Sequence, residues 1–152
     1  MNRPITQAVV TLLFSLAFCL NTSAQRNQIE KCWYDEGKTT KIQIYHATNG
    51  KFYGKIVWLK DSIDKTTGKP QKDDENPDPK LRSRPVLNLV ILNDFAADQE
   101  NKNVYTGGNI YDPESGKTYC GKITFKGNKL DLRGYLCSFS IIGKTETWTE
   151  AN

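Results

Sequence analysis

The stretch GGNIYDPESGKTY, residues 107–119, decides the fold, because it contains the end of one predicted strand, a turn and the start of the next. Its centre has the residues that a turn needs: Asp112 accepts local backbone hydrogen bonds, a proline with preset φ follows, and Gly116 tolerates a positive φ. Strand-like sequence continues on both sides, over Val104–Tyr111 and Thr118–Phe125. The stretch therefore predicts a β-hairpin, and it contains no catalytic motif.

A second hairpin is predicted nearer the N-terminus. Residues 40–46 and 52–58 both alternate apolar and polar side chains, which is the period of a half-buried strand. The loop between them ends in Gly50, a residue suited to the left-handed position of a three-residue hairpin loop. This loop is expected to set Ile44 opposite Gly54, so that pattern and turn chemistry agree.

A third hairpin follows the first one along the chain. A two-residue turn at positions 127–128 pairs Phe125 with Leu130 and places the apolar residues of both strands on one side. The same register brings Cys120 and Cys137 together on the opposite face. They are diagonal neighbours with the tight turn and directly opposed if the loop is two residues longer. A Cys120–Cys137 disulfide is therefore predicted, provided that the Cβ separation suits a bridge.

Three more segments complete the predicted set of about eight strands. Cys32–Tyr34 is a short strand, the apolar run Val86–Phe95 suits a strand covered on both faces, and Thr145–Thr149 closes the chain. We predict an all-β fold, an antiparallel up-and-down barrel, because this closure removes both sheet edges and needs about this many strands. A flattened β-sandwich is the alternative.

The segment 60–85 lacks periodicity and is rich in Asp, Lys, Thr, Gly and Pro. Because long structureless loops are uncommon inside compact domains, it is predicted to be either a functional lid or a mobile excursion. Three of its residues match the first positions of a calcium loop, but Pro79 and Pro85 stand where that loop needs glycine and a bidentate glutamate. No metal site and no cofactor are predicted.

The N-terminal residues 1–24 are predicted to be a signal peptide. Arg3 precedes an apolar stretch that is too short to span a bilayer, and small residues flank a cut after Ala24. Removing this segment takes away one of 21 basic residues and none of 17 acidic ones, which leaves 20 against 17 and a net charge of +3. Residues 25–152 are then a single domain, periplasmic or secreted, that neither spans a membrane nor binds nucleic acid.

Six residues are candidates for ligand binding. Trp33, Trp58, Tyr111 and Trp148 either line a cavity or form the core of a small domain. Arg84 either grips an anionic head group or holds the acidic part of the 60–85 loop against the barrel.

The sixth candidate is Glu146, which has the same parity as Trp148. If Trp148 faces the barrel interior, Glu146 does too, and an interior carboxylate requires a partner. Lys144 lies on the same face. The alternative is that this strand is exposed at its start or carries a bulge.

The sequence resembles a bacterial family of exported proteins known as domain of unknown function 2147. The resemblance runs in order along nearly all of the chain after residue 24, in the motifs around Trp33, GKIVWL at 54–59, NPDP at 76–79 with RSRP at 82–85, GGNIYDPESGKTY, RGY at 133–135 and GKTETW at 143–148. It implies a lipocalin-like barrel and no established activity, cofactor or catalytic residue. Lys31 and Asn88 stand at expected glycine positions, and the two paired cysteines favour a disulfide particular to this chain.

We therefore predict an exported, monomeric binding or carrier module of the cell envelope, whose partner is a small amphipathic molecule or an envelope component. An enzyme is less favoured because the sequence supplies few proton-transfer groups, with His46 as its single histidine. Two alternatives stay open: a hydrolase that acts on an envelope molecule through Glu146 or Asp112, and a ligand-free scaffold or stress protein that binds a protein partner through the 60–85 loop.

Overall fold

The fold is a closed antiparallel barrel of eight strands, seen in a computed structural model that describes residues 27–151. The strands pair in sequence order, and β1 closes the barrel by pairing with β8. Their bounds are β1 Cys32–Tyr34, β2 Thr40–His46, β3 Phe52–Leu59, β4 Val90–Ala97, β5 Val104–Asp112, β6 Lys117–Phe125, β7 Lys129–Leu136 and β8 Phe139–Glu150. This closed topology confirms the predicted up-and-down barrel rather than the alternative, a flattened β-sandwich. The predicted signal peptide lies outside the described residues.

The predicted hairpin registers are confirmed. Ile44 pairs with Gly54 across the β2–β3 hairpin, and Gly50 has a φ of 77°. Phe125 pairs with Leu130 across the β6–β7 hairpin. This register places the two cysteines of the predicted disulfide 5.2 Å apart at Cα, where Cys120 and Cys137 are bonded. Among the described residues the free cysteine is Cys32.

Two strand boundaries differ from the sequence prediction. The apolar run begins as a strand only at Val90, because Asn88 has a φ of 71° and cannot continue an extended chain. The resemblance implies glycine at this position, and asparagine is one of the few other residues that adopt this left-handed conformation. At the other end of the chain, β8 begins at Phe139 rather than Thr145 and runs for 12 residues.

Trp58 faces outward, which corrects the parity expected from the sequence. The β2–β3 register shifts by one residue, so that Ile56 pairs with Ile42 but Trp58 pairs with Lys41. The extra residue, Val57, is a β-bulge, and a bulge moves every later side chain of the strand to the opposite face. Trp58 is consequently exposed and packs edge-on against Tyr34 outside the barrel.

One half of the barrel interior is filled by aromatic side chains. Phe95 lies over glycines of the neighbouring strands, and a Cβ atom added at Gly108 or Gly121 would lie 2.4 Å from its ring. Tyr105 and Phe52 pack edge-on beside it with ring centroids 5.0 Å apart. These contacts close the end of the barrel where the β2–β3 and β6–β7 turns lie. Within residues 27–151 no helix has the length and hydropathy needed to cross a membrane.

Candidate functional site

The other half of the barrel encloses an open cavity of about 630 Å³. Its walls are apolar side chains from six strands, namely Ile42, Ile56, Ile91, Ile110, Leu132 and Trp148. Its rim is formed by the β1–β2 and β5–β6 turns and by the start of β8. Cavities of about 300–1,000 Å³ with apolar walls and a few polar groups are the usual binding sites for small molecules.

Glu146 points into this cavity, as its shared parity with Trp148 predicts. It pairs with Leu132, whose side chain is part of the cavity wall. One carboxylate oxygen accepts a hydrogen bond from the Lys144 ammonium at 2.9 Å, and the other accepts one from the Trp148 indole at 3.4 Å. The hydrogen bond and charge of Glu146 raise the pKa of Lys144 above its ordinary value. The cavity wall thus contains one ion pair, between Lys144 and Glu146.

Two further carboxylates on the cavity rim bind their own turns. Asp35 accepts hydrogen bonds from the backbone amides of Thr39 and Thr40 at 2.6 and 2.9 Å. Asp112 accepts one from the Ser115 hydroxyl at 2.5 Å and one from the backbone amide of Glu114 at 3.0 Å, both in its own turn. With Glu114 and Glu146, the lining carries four carboxylates and one ammonium, that of Lys144, so its formal charge is −3.

A second polar cluster ties the 60–85 segment to the outer face of the barrel. Its centre is Asp73, whose side chain is 0% exposed. The carboxylate accepts hydrogen bonds from the Tyr111 hydroxyl at 2.5 Å, the Asn76 amide at 2.8 Å and two nitrogens of the Arg84 guanidinium at 2.8 Å each. Both oxygens of this buried carboxylate thus accept hydrogen bonds, Oδ1 from Tyr111 and Oδ2 from Asn76 and Arg84, and a buried charge needs such partners to be stable.

The segment is therefore an ordered strap, and its arginines hold it in place. Arg84 is paired with Asp73, so the structure places it in the strap and not at the cavity. Arg82 donates to the backbone oxygen of Asn76 at 2.7 Å. The β5–β6 turn lies against the strap as well, because a Cβ at Gly116 would sit 1.9 Å from the carbonyl oxygen of Glu75. The motifs NPDP, RSRP and DPESG thus meet in one contact region.

The strap network changes the ionisation of both of its acidic groups. Burial alone would raise the pKa of Asp73, but the hydrogen bonds from Tyr111, Asn76 and Arg84, together with the arginine charge, outweigh burial and lower that pKa. Burial and the hydrogen bond to Asp73 raise the pKa of Tyr111. The native network therefore favours the ionised carboxylate.

Acidification is expected to release the strap. Because the folded-state pKa of Asp73 lies below its ordinary value, its stabilising contribution is present above the ordinary value of 3.8 and is lost as the pH falls through the folded pKa. Hydrogen exchange of the strap amides, corrected for the intrinsic rate at each pH, should show constant protection down to about pH 4 and a fall below it. Amides of the β2–β3 ladder, whose strands contain no carboxylate, are the internal control. Equal loss in both regions would contradict this assignment.

A second, shallower cavity of about 570 Å³ lies between the strap and the outer faces of β4 to β6. It is lined by Arg84, Asn93, Asn109 and Thr118 as its main polar side chains, and by Tyr111, which borders both cavities. Asn93 and Asn109 are paired residues on adjacent strands. This cavity is a consequence of the way the strap crosses the sheet.

The six sequence candidates thus occupy three places. Glu146 and Trp148 belong to the barrel cavity. Tyr111 and Arg84 belong to the strap network. Trp33 is fully buried, with its indole donating to the Ile29 carbonyl at 2.9 Å, and it lines neither cavity, like the outward Trp58.

Sequence reasoning missed the central role of Asp73. Three consecutive acidic residues, 73–75, looked equivalent in a polar loop. The one signal in the sequence is the opposite charge of this acidic run and of the RSRP motif. It predicts that the two segments pair, but it does not indicate which of the three carboxylates is buried.

An eight-stranded up-and-down barrel with one closed end and an apolar cavity at the other defines a lipocalin-like protein. A solved structure of protein HP1028 from the human pathogen Helicobacter pylori, described as belonging to the lipocalin family, is similar to this chain. The two share 27% sequence identity over 82% of this chain and 83% of that one, with a TM-score of 0.67. No curated protein sequence matches significantly.

Residues 31–150 match the family described as "Uncharacterized protein conserved in bacteria (DUF2147)". The chain belongs to this family. The resemblance inferred from its motifs is confirmed.

Proposed function

We propose that the protein is an exported binding or carrier module that holds a small amphipathic molecule in the barrel cavity. The observation that carries the proposal is the 630 Å³ cavity, which has mainly apolar walls and the Lys144–Glu146 ion pair. The apolar part of the ligand would lie against residues such as Ile110 and Trp148, and its polar end would reach Glu146 and Lys144. The signal peptide predicted at residues 1–24 supports an envelope location.

The charge of the lining restricts the polar end of the ligand. Arginine is the residue best suited to grip a carboxylate or phosphate, but Arg84 is engaged by Asp73 in the strap. The cavity itself carries four carboxylates and one ammonium. A neutral or cationic polar end is therefore favoured over an anionic one, because a like charge in a half-enclosed site is repelled.

The first test is native mass spectrometry of protein purified gently from its own compartment, compared with the same sample after denaturation. A stoichiometric small-molecule adduct that is lost on denaturation is expected, and its mass would indicate the ligand class. Protein that stays bare after incubation with extracts of lipid and of cell-wall fragments would count against the proposal and favour the scaffold alternative.

Filling the cavity is expected to abolish binding. Gly134 lies in the cavity wall, where an added Cβ would make ordinary contacts of 3.6 Å with Ile110 and 3.7 Å with Tyr119. Gly134→Leu should place an isobutyl group in the open space and lower the affinity for a dodecyl-chain probe at least tenfold while the barrel stays folded. Thr145→Leu, on the outer face of the adjacent strand, is the matched control. If Gly134→Leu bound the probe as tightly as the native protein, the cavity would not be the binding site.

The ion pair is expected to select the polar end of the ligand. Competition among dodecylamine, dodecanol and dodecanoate should rank the amine or alcohol above the acid in the native protein. Glu146→Gln should weaken the amine roughly tenfold by removing a charge-assisted hydrogen bond, and strengthen the acid, since Lys144 is then unpaired. Glu100→Gln, in the exposed turn between β4 and β5 at the closed end of the barrel, is the control. A native preference for the acid, reduced by Lys144→Gln, would reverse the assigned ligand class but keep the cavity as the binding site.

A further inference from the structure

Four apolar side chains stand exposed together at the mouth of the cavity. They come from the hairpin between β7 and β8, and we call them the apolar tip: Leu136 at 44% exposure, Phe139 at 66%, Ile141 at 91% and Ile142 at 60%. The other large hydrophobic residues exposed in the described part of the chain, such as Ile63 and Leu81, lie apart from one another in sequence and none exceeds 47%. Clustered exposure of this kind marks an interaction surface.

The tip has a defined shape. The β7–β8 register shifts between Tyr135, which pairs with Gly143, and Leu136, which pairs with Phe139, so residues 140–142 bulge out of the ladder. The Arg133 guanidinium donates to the carbonyl oxygens of Ser140 at 3.0 Å and Ile141 at 3.3 Å. The Cys120–Cys137 disulfide ties the end of β7 to β6 directly beneath. The isoleucines are thus held outward by backbone and side-chain contacts.

The tip is continuous with the cavity. Leu136 and Ile142 are exposed to solvent and also line the cavity wall. An apolar surface therefore runs from the interior, over the rim, to the outermost residue Ile141. A protein partner that covered the tip would close one side of the mouth, whereas a lipid surface would leave the apolar path open to the acyl-chain region.

The outer face next to the tip is basic. Lys122 and Arg133 are paired residues on adjacent strands and face outward, since their neighbours Ile123 and Leu132 face the interior. Between this pair and the tip, the outward positions of β6, β7 and β8 carry no carboxylate. The next acid on this face, Asp131, lies further from the mouth and is bound to Lys126 and to Thr147.

We propose that the protein docks on an anionic lipid surface through the apolar tip, with Phe139 and Ile141 inserted at the level of the acyl chains and Lys122 and Arg133 on the lipid phosphates. Apolar insertion beside clustered basic residues is how peripheral proteins bind anionic membranes. The docking surface stands independently of the cavity's ligand. If both proposals hold, only the β7–β8 side of the mouth meets the lipid, and the rim carboxylates of the other two turns, Asp35, Asp112 and Glu114, stay in water. An amphipathic molecule would then enter along the apolar path of Leu136 and Ile142.

The test is sedimentation of the full-length mature protein with vesicles of phosphatidylcholine alone and of phosphatidylcholine with phosphatidylglycerol. Binding is expected on the anionic vesicles. Phe139→Ser and Ile141→Ser should each lower the partition coefficient roughly tenfold, because each removes a buried apolar side chain. Lys122→Gln should lower it about fivefold on anionic vesicles and leave neutral ones unchanged. Ile63→Ser, which makes the same kind of change at an exposed apolar residue of the strap outside the tip, is the control and should have no effect.

Three outcomes would overturn the proposal. They are the absence of binding by the folded protein, binding that Phe139→Ser and Ile141→Ser leave intact, and a concentration-dependent dimer in lipid-free buffer that the same substitutions dissociate. The last would assign the tip to a second copy of the chain. Because Ile141 is almost fully exposed, its substitution is expected to leave the barrel intact, which an unchanged far-UV circular dichroism spectrum and urea midpoint would check. Vesicle binding by the native protein without any binding of the dodecyl probe would count against the cavity proposal alone.

Discussion

Asp73→Asn should raise the exchange rate of the strap amides about a hundredfold or more. The substitution keeps the shape of the side chain but removes the negative charge that Arg84 and Tyr111 contact, and it turns an amide group towards one of their donors. Breaking one side of a buried ion pair costs about 3–5 kcal/mol, and about 1.4 kcal/mol is a factor of ten in an opening equilibrium. Hydrogen exchange of the Asp73 and Val86 amides, which bond to Arg84 and Gln71 across the strap, reports this opening.

The exposed neighbour supplies the control for this experiment. Asp74 is the next residue of the same acidic run but is solvent-exposed, so Asp74→Asn should change strap exchange by less than about threefold. Urea unfolding with the disulfide intact separates local from global effects, because the barrel ladder should keep most of its protection in Asp73→Asn. Similar exchange in the two variants would show that the buried carboxylate does not hold the strap.

Gly116→Ala is expected to destabilise the protein by about 3 kcal/mol or more, through two additive causes. Its φ of 67° costs any other residue about 1–2 kcal/mol. The new Cβ would also lie 1.9 Å from the Glu75 carbonyl oxygen, a backbone atom that cannot rotate away. Either the turn or the strap must move, and both the urea midpoint and strap exchange should register it.

Gly127→Ala separates the two causes. Gly127 has a similar φ of 78°, but nothing lies within 4 Å of its added Cβ. This variant should lose only the conformational part, about 1–2 kcal/mol, with strap exchange unchanged. If the two alanine variants proved equally stable, the close contact between the DPESG turn and the strap would make no contribution to the free energy of unfolding.

These results would bear on how the cavity is built. The β5–β6 turn forms part of the cavity rim through Asp112 and Glu114, and its other side contacts the strap at Glu75. The strap therefore supports the rim from outside. A variant that releases the strap should also weaken binding of a dodecyl probe, although no residue of the 60–85 strap lines the barrel cavity.

Local sequence determined the barrel and its hairpins. Strand alternation, a left-handed glycine and a two-residue turn act over a few neighbouring residues, so they predict the pairing of Ile44 with Gly54 and of Phe125 with Leu130. The cysteine pair follows from the same register. Glu146 facing inward beside Trp148 is likewise a matter of parity along one strand.

Tertiary structure alone decided which of these residues form a site. The bulge at Val57, which turns Trp58 outward, leaves no mark in the alternating pattern. Asp73 becomes the buried carboxylate of its acidic run because Tyr111, 38 residues away, and Arg84 meet it there. The cavity is open because Phe95 fills only one half of the interior. Each of these outcomes depends on contacts between segments that are distant in sequence. The free energies of such contacts cannot be read from a local sequence pattern.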